Sequence, residues 1–217
     1  QAWFTYKNGR GVRSSMEWPV NQHIVSAFEP AFMSSFKSVD PIGVKMLLAV
    51  DESGSMSFTD ATGMDGLMTC AQAAGLMAMV RMRAEHLSML DVIGFNTGYL
   101  EKPYLDRMSS YDKVVSSFGT GGGTAGDCAF RYLLDKKIQV DYVEVHTDNE
   151  VWAGQHHFMQ LANEYRQRYS PNLRVAVFSY AANRNTIVDP SRTWTLNVVG
   201  LDSGAPAVAT SFARGEL

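Results

Sequence analysis

The sequence contains few cysteines and no long apolar run. Two cysteines, Cys70 and Cys128, occur among 217 residues. They cannot build a disulfide framework, so we expect a reducing, cytoplasmic compartment. No apolar run approaches the roughly eighteen residues that a membrane span requires. The first residues, QAWFTYKNGRG, also lack the apolar core of a signal peptide. The sequence therefore predicts no membrane partner.

An excess of positive charge is also absent. Lysine and arginine number 19 against 22 aspartates and glutamates, which gives a formal net charge of −3. This balance argues against a broad basic face, so we expect the chain alone to bind structured RNA only non-specifically. Apolar residues make up 46% and charged residues 19%, which is typical of a globular protein. A chain of this length has room for one α/β domain and an extension.

Short apolar runs alternate with segments in which apolar residues recur at helical spacing. This alternation predicts an α/β fold of the doubly wound class, with helices on both faces of the sheet. We predict a mostly parallel sheet of six strands, at residues 44–50, 88–95, 99–105, 140–147, 173–180 and 193–199. The strand at 44–50 should be central, and the segment at 99–105 should be an antiparallel edge because it contains Pro103. Helices are predicted at 65–85, 111–118, 155–169 and 205–213, with another that ends near residue 136.

Residues 1–40 are predicted to be a linker and a helix that precede a main domain at 41–217. The first 19 residues have an irregular pattern, but Trp3, Phe4 and Trp18 make them too aromatic to remain free of the domain. Helical spacing begins after Asn21, a candidate N-cap, and continues to residue 36. Pro30 should kink or split that helix. Because the pattern is already under way at the first residue, we expect the chain to be a piece of a longer protein.

Oxygen-bearing side chains follow the buried strands. Asp51, Ser53 and Ser55 come directly after the strand at 44–50, Thr124 lies in a glycine-rich loop, and Asp148 follows the strand at 140–147. Parallel strands present their carboxyl ends at one edge, so these loops can converge. Hard oxygen ligands suit Mg²⁺, with Mn²⁺ or Ca²⁺ as alternatives. Hydroxyls that bind directly leave the ion electrophilic, so the site should accept one more anionic ligand, either an acidic side chain from a protein partner or a phosphate. The simpler interpretation is that Ser53 and Ser55 only cap a following helix.

The sequence is also compatible with two other functions, dinucleotide binding and metal-dependent hydrolysis of a phosphate ester. Residues 121–126, GGGTAG, satisfy the dinucleotide pattern G-x-G-x-x-G, and Asp148 lies near the distance at which an acid would bind the ribose. Asp51 could also act as the aspartyl nucleophile of a metal-dependent phosphohydrolase. Position 53 is a serine where such an enzyme would be expected to have a second acid, which favours a binding module over an enzyme.

The other candidate side chains have structural interpretations. His146 should be a core histidine with its hydrogen bonds satisfied, and Cys128 should be a buried thiol. His156 and His157 should lie at a solvated helix start. Three aspartates are predicted to be on the surface: Asp106, Asp112 and Asp127.

The set Asp51, Ser53, Ser55, Thr124 and Asp148 resembles the metal-ion-dependent adhesion site of von Willebrand factor A (vWA) domains. Longer segments narrow the resemblance to the carboxyl-terminal part of Ro ribonucleoprotein autoantigens: TYKNGRG at 5–11, Trp18-Pro19, AFMSSFKSVDPIG at 31–43, LLAVDESGSM at 47–56 and HTDNEVWAG at 146–154. The resemblance covers nearly the whole chain. One departure is Ala125, which stands where that family usually has an acid, with Asp127 two residues further on.

The resemblance implies a place for this chain in a larger protein. In that family the vWA domain closes a ring of helical repeats, small Y RNAs bind the outside of the ring, and misfolded RNA ends enter its hole. Residues 1–36 would be the segment that adjoins the ring, and this chain does not contain the ring itself. RNA binding is therefore expected of the parent protein. The chain itself is expected to be the metal-dependent ligand module.

Overall fold

A six-stranded sheet forms the centre of the structure. The computed structural model describes residues 2–11, 14–35, 39–64, 66–119, 121–150, 154, 157–182 and 186–217. The strands among them are β1 (Met46–Asp51), β2 (Leu90–Phe95), β3 (Tyr99–Glu101), β4 (Tyr142–Thr147), β5 (Arg174–Ser179) and β6 (Thr195–Val199). Their order is β3-β2-β1-β4-β5-β6, and all neighbours are parallel except β2 and β3. The predicted class, the central first strand and the antiparallel edge are confirmed.

Eight helices accompany this sheet in the described residues. They are α1 (Ala2–Lys7), α2 (Gln22–Ser35), α3 (Ser55–Phe58), α4 (Cys70–Ala84), α5 (Tyr111–Ser117), α6 (Cys128–Lys136), α7 (Phe158–Arg168) and α8 (Ala205–Arg214). None of them combines the length and the apolar composition that crossing a bilayer requires.

The apolar run of β1 is explained by burial on both faces. Met46, Leu48 and Val50 lie in a core with α4, α5 and α8, whereas Leu47 and Ala49 lie in a second core with α6 and α7. Successive side chains of a strand point to opposite faces, so helices on both sides require a strand without polar alternation. The polar residues that follow β1 therefore begin where the two helix layers end.

Helix α4 begins five residues later than its pattern predicts. Thr69 forms a capping box with Gln72: the Thr69 side chain accepts from the Gln72 amide at 3.3 Å, and the Gln72 side chain accepts from the Thr69 amide at 3.0 Å. This reciprocal cap satisfies two backbone donors and fixes the start of the helix. Further along, a Cβ atom added to Gly75 would lie 2.7 Å from Val115 Cγ2. The glycine therefore allows α4 and α5 to approach closely.

The amino-terminal segment contacts the domain, as its aromatic content predicts. Trp3 and Phe4 are buried, and the Trp3 ring lies 5.8 Å from the Tyr111 ring of α5. The expectation of irregular structure is wrong for α1, which forms because Trp3 and Phe4 on one turn share an apolar contact surface. Helix α2 continues through Pro30, so the proline does not split it. Its predicted last residue, Phe36, lies outside the described residues, and the boundary near residue 40 stays a prediction.

Two shorter segments differ from the sequence-based expectation. The edge strand β3 stops at Glu101, two residues before Pro103, which cannot donate a ladder hydrogen bond. The loop expected after β1 contains the single turn α3. The helix predicted to begin at 155 is described from Phe158, because Gln155 and His156 lie outside the described residues.

Candidate metal centre

Three chain segments meet at the carboxyl edge of the sheet. β1 ends at Asp51 and its parallel neighbour β4 ends at Thr147, whose hydroxyl donates to Asp51 Oδ2 at 2.6 Å. The glycine loop joins them, because the Gly54 amide donates to the Gly122 carbonyl at 3.3 Å. The structure therefore brings the predicted site residues to the same edge: Asp51, Ser53, Ser55, Thr124 and Asp148.

The protein environment of Asp51 disfavours its ionised form. The side chain is buried, with a relative exposure of 1%. Burial raises the pKa of Asp51 to about 7 even though hydrogen bonds from Thr147 and Ser53 lower it, and the charge of Asp148 raises it further. Two carboxylates are thus placed near each other in a poorly hydrated position. A cation beside Asp51 would favour its ionised form.

Three hydroxyl groups belong to the same site, and that of Ser53 hydrogen-bonds to the Asp51 carboxylate. Ser53 Oγ is 3.2 Å from Ser55 Oγ. Thr124 is fully buried, and its Oγ1 atom has no hydrogen-bond partner among the described residues. A buried hydroxyl without a partner loses its hydration without compensation, which is unusual unless a ligand or ion supplies the contact. The donor set of hydroxyls and carboxylates fits a hard divalent cation.

Helix capping does not explain the two serines. The N-cap of α3 is Gly54, and no side chain caps that helix. The next helix, α4, is capped by Thr69. The side chains of Ser53 and Ser55 therefore remain available to the site rather than to a helix end.

A tight turn orients Asp148. Asn149 has a positive φ of 67°, and its amide donates to the Thr147 hydroxyl at 3.1 Å. The Glu150 amide donates to Asp148 Oδ1 at 3.0 Å. Asparagine tolerates this left-handed conformation better than most residues. Among the described residues, no group of three or more His, Cys, Asp or Glu side chains could hold a metal, so the hydroxyls would have to complete any ligand set.

The glycine loop lacks the context of a dinucleotide-binding loop. That fingerprint requires a strand before the glycines and a helix after them. Here the loop follows helix α5 and precedes helix α6. The structure therefore argues against the dinucleotide alternative, and the loop serves instead to place Thr124 beside the end of β1.

Comparison with protein families agrees with these features. A family model described as the Ro60 vWA domain matches residues 45–213. This chain belongs to that family. The family predicted from the sequence motifs is therefore confirmed.

Relatives of this Ro60 vWA domain are considerably longer. A Deinococcus radiodurans protein named RNA-binding protein RO60 is 35% identical over 221 residues, which cover 100% of this chain and 40% of that protein. A Caenorhabditis elegans protein of the same name is 26% identical and is covered over 32% of its length. The crystal structure of the Deinococcus radiodurans RO (RSR) protein superposes with a TM-score of 0.84 at 30% identity, over 100% of this chain and 43% of that one. The chain thus spans less than half the length of these relatives.

Asp127 is a site neighbour that the sequence interpretation misplaced. It was expected on the surface, but it is buried, and neither carboxylate oxygen has a hydrogen-bond partner among the described residues. Its nearest cation is Arg131, at 3.7 Å. Gly154 lies against it, since an added Cβ would be 2.7 Å from Asp127 Oδ1. The sequence feature that could have indicated this placement is the position of Asp127 three residues after Thr124, at the start of α6.

Two smaller expectations hold. Cys128 is a free, buried thiol, and burial raises its pKa to about 11, so it is not a thiolate nucleophile at neutral pH. Asp112 is exposed, with a loose contact of 3.8 Å to Lys7. A further pair, Glu52 and Lys102, was not expected: the two side chains are buried and 2.6 Å apart.

The Ro60 vWA domain also contains a fully paired cluster of buried charge, here named the arginine network: Arg81, Glu85, Glu144, His146 and Tyr180. Arg81 lies 3.3 Å from Glu85 and 3.1 Å from Glu144. Glu144 also accepts from His146 Nε2 at 3.0 Å, and His146 Nδ1 lies 2.6 Å from the Tyr180 hydroxyl. An ionised carboxylate can only accept, so Nε2 carries a proton. His146 is thus a satisfied core histidine, as predicted.

Proposed function

We propose that the carboxyl edge of this vWA domain binds a divalent cation, most simply Mg²⁺, with Mn²⁺ or Ca²⁺ as alternatives. Ser53, Ser55 and Thr124 would be direct ligands, and Asp51 and Asp148 would orient bound waters or bind directly in part. The observation that carries the proposal is the buried Thr124 hydroxyl, which has no partner among the described residues, at the same sheet edge as a carboxylate whose pKa is raised to about 7.

The ion would give the domain a binding function. Neutral hydroxyl ligands leave most of the charge of the ion uncompensated, so it would attract one more anionic ligand. An acidic side chain of a protein partner has the required chemistry. The aromatic ring of Phe58, 89% accessible at the end of the turn α3 that begins at Ser55, would offer such a partner an apolar contact.

The metal is tested by thermal and urea unfolding in chelator and in Mg²⁺ or Mn²⁺. Binding to the folded state alone should raise the free energy of unfolding by about 2.7 kcal/mol at a metal concentration of 100 Kd. Asp51→Ala should abolish this increase without unfolding the sheet. Asp112→Ala, which removes an exposed carboxylate with a side-chain exposure of 83%, should retain it. Equal stability of the unmodified chain in metal and in chelator would contradict the proposal.

A binding function is favoured over hydrolysis. Position 53 is a serine where a phosphohydrolase would be expected to have a second acid, and the Asp51 side chain is only 1% exposed. A nucleophile needs access to its substrate. Turnover of a generic aryl phosphate that is lost in Asp51→Asn would reverse this choice in favour of a metal-dependent phosphohydrolase.

We propose that RNA binds mainly to the parts of the parent protein that this chain does not contain. Relatives named RNA-binding proteins support an RNA partner, and Y-like or misfolded RNA would bind a ring of helical repeats that precedes residues 1–40. With 22 acids and 19 bases, the isolated chain should bind a stem-loop RNA with a Kd of roughly 10⁻⁴–10⁻⁶ M at physiological salt. A titration at several salt concentrations tests this division. Nanomolar binding with a steep salt dependence would contradict it.

The two cysteines support a reducing, cytoplasmic location within this proposal. Cys70 and Cys128 are both free and buried, and burial raises the pKa of Cys70 to about 12. Neither needs oxidising conditions to reach its observed state.

A further inference from the structure

A second candidate site lies at the opposite end of the sheet from the metal centre. The segments at the amino ends of β1, β4, β5 and β6 border a cavity of about 440 Å³. Among its lining residues are Val44, Asp141, Arg166, Arg174, Trp194 and Arg214. We infer that this cavity, here named the arginine cavity, binds a phosphate group. The inference is independent of the proposed metal.

Three arginines meet there although the chain as a whole is acidic. Arg166 is on α7, Arg174 begins the next element, β5, and Arg214 ends α8. Three separate elements therefore supply them. Four other arginines have acidic partners: Arg81, Arg131, Arg168 and Arg192. Within the described part of the chain, no ion pair is formed by Arg166 or Arg174. Arg214 donates to the Pro41 carbonyl at 2.6 Å and lies 3.9 Å from Glu216.

Aromatic rings hold two of these guanidinium groups. The Arg166 guanidinium lies 5.3 Å from the centre of the Trp194 ring, and that of Arg174 lies 5.3 Å from the centre of the Phe212 ring. A guanidinium over a ring keeps its N–H donors, which lie in its own plane, available to a ligand. Arg166 Nε is buried and has no hydrogen-bond partner among the described residues. Burial removes this N–H donor from water, and no protein acceptor replaces the lost hydrogen bond among the described residues. Such a donor is expected where a ligand supplies the acceptor.

The charge and size of the arginine cavity favour a phosphate monoester. Asp141 is the acid among the described lining residues, and its Oδ1 accepts from the Ser170 hydroxyl at 2.7 Å. With Asp141 in the lining and Glu216 3.9 Å from Arg214, the three arginines still leave a net positive charge for an anion. Arginine binds phosphate oxygens through paired, charge-assisted hydrogen bonds. The volume falls within the range of small-molecule sites, about 300–1,000 Å³, so the group that carries the phosphate would also fit. A free nucleotide and the 5′ end of an RNA share this chemistry.

Isothermal titration of the 217-residue chain tests the inference. The probes are inorganic phosphate, adenosine 5′-monophosphate and adenosine. Phosphate and the monophosphate should bind, adenosine should not, and binding should weaken as salt increases. Arg166→Gln and Arg174→Gln should each weaken binding about tenfold or more, since each removes charge-assisted hydrogen bonds. Arg168→Gln is the matched control on α7: its side chain is 65% exposed, it pairs with Glu164, and its loss should change binding less than twofold.

The outcomes separate the possible ligands. A short RNA with a 5′-phosphate that binds at least tenfold more tightly than both the monophosphate and the same RNA with a 5′-hydroxyl would identify the RNA end as the source. A monophosphate that binds at least as tightly as the 5′-phosphorylated RNA would identify a nucleotide. The inference is overturned if neither phosphate probe binds, whether or not a hexaglutamate peptide does, or if adenosine binds as well as its monophosphate. It is also overturned if Arg166→Gln, folded by circular dichroism, binds the monophosphate as the unmodified chain does.

Discussion

Strand β4 contributes to two clusters of buried charge that differ in how completely their polar atoms are paired. Glu144 and His146, within the strand, belong to the arginine network, where each charged group has a partner at hydrogen-bonding distance. Thr147 and Asp148, at its end, belong to the candidate metal centre. There a buried threonine hydroxyl has no partner among the described residues, and burial raises the pKa of Asp51 to about 7.

The difference indicates what each cluster does. A buried charge is tolerated when an opposite charge and hydrogen bonds compensate it within the protein, as Arg81 does for Glu144. Where the protein leaves this compensation incomplete, a ligand can supply it. The arginine network is therefore structural, whereas we expect the candidate metal centre to bind a ligand. By the same criterion we expect the arginine cavity to bind an anion, because Arg166 and Arg174 form no ion pair with the described residues.

The largest expected effect comes from breaking the arginine network. Arg81→Met leaves Glu85 and Glu144 buried without their cation, so the free energy of unfolding should fall by about 3–5 kcal/mol. Urea unfolding at neutral pH measures the change. Arg168→Met is the control, because its surface ion pair with Glu164 should be worth less than about 1 kcal/mol. Equal losses in the two variants would mean that the network does not stabilise the fold.

Acid should weaken the same network, and the resulting loss of unfolding free energy should be nearly as large as in Arg81→Met. Burial opposes ionisation of Glu144, but the charge of Arg81 and the hydrogen bond from His146 hold its pKa at about 2, below the ordinary 4.5. A lowered folded pKa stabilises the fold above pH 4.5, and this stabilisation is lost as pH falls towards 2. The loss should be on the order of 3 kcal/mol.

The measurement compares the unfolding free energy of the unmodified chain and of Glu144→Gln. The difference between them should be constant from about pH 7 to pH 5 and should then shrink towards pH 2. Asp112→Asn, at an exposed position, controls for the general effect of acid. A difference that stays unchanged over the acid range would show that Glu144 is not held ionised.

The smallest expected changes in unfolding free energy are at the candidate metal centre. Two buried threonines there differ in whether their hydroxyls have partners among the described residues. The Thr147 hydroxyl donates to Asp51 and accepts from the Asn149 amide, so Thr147→Val should cost about 1–2 kcal/mol in chelator. Thr124→Val should cost less than about 0.5 kcal/mol in chelator, because it removes a hydroxyl without a partner. It should also remove the stabilisation by Mg²⁺. Equal costs in chelator would show that the Thr124 hydroxyl is satisfied within the protein.

Much of the fold follows from local pattern. The run at 44–50 contains apolar residues at consecutive positions, and only a strand with helices on both faces buries all of them. The edge position of β3 follows from Pro103, since proline lacks the donor that a central strand needs. The five predicted site residues follow from the same logic, because parallel strands end at one edge. Their ligation of a metal stays a prediction.

What the sequence by itself determined is thus the order of the elements and the edge at which the oxygen-bearing loops meet, because both depend on residues close together in the chain. Only the tertiary structure decided which charges are buried and paired. Asp112 and Asp127 each lie near the start of a helix, yet one is exposed and the other is buried beside Gly154. Arg81 and Glu144 are far apart in sequence, as are Arg174 and Arg214 of the cavity. The physical reason is that desolvation and charge pairing depend on distances in space, which periodicity along the chain does not encode.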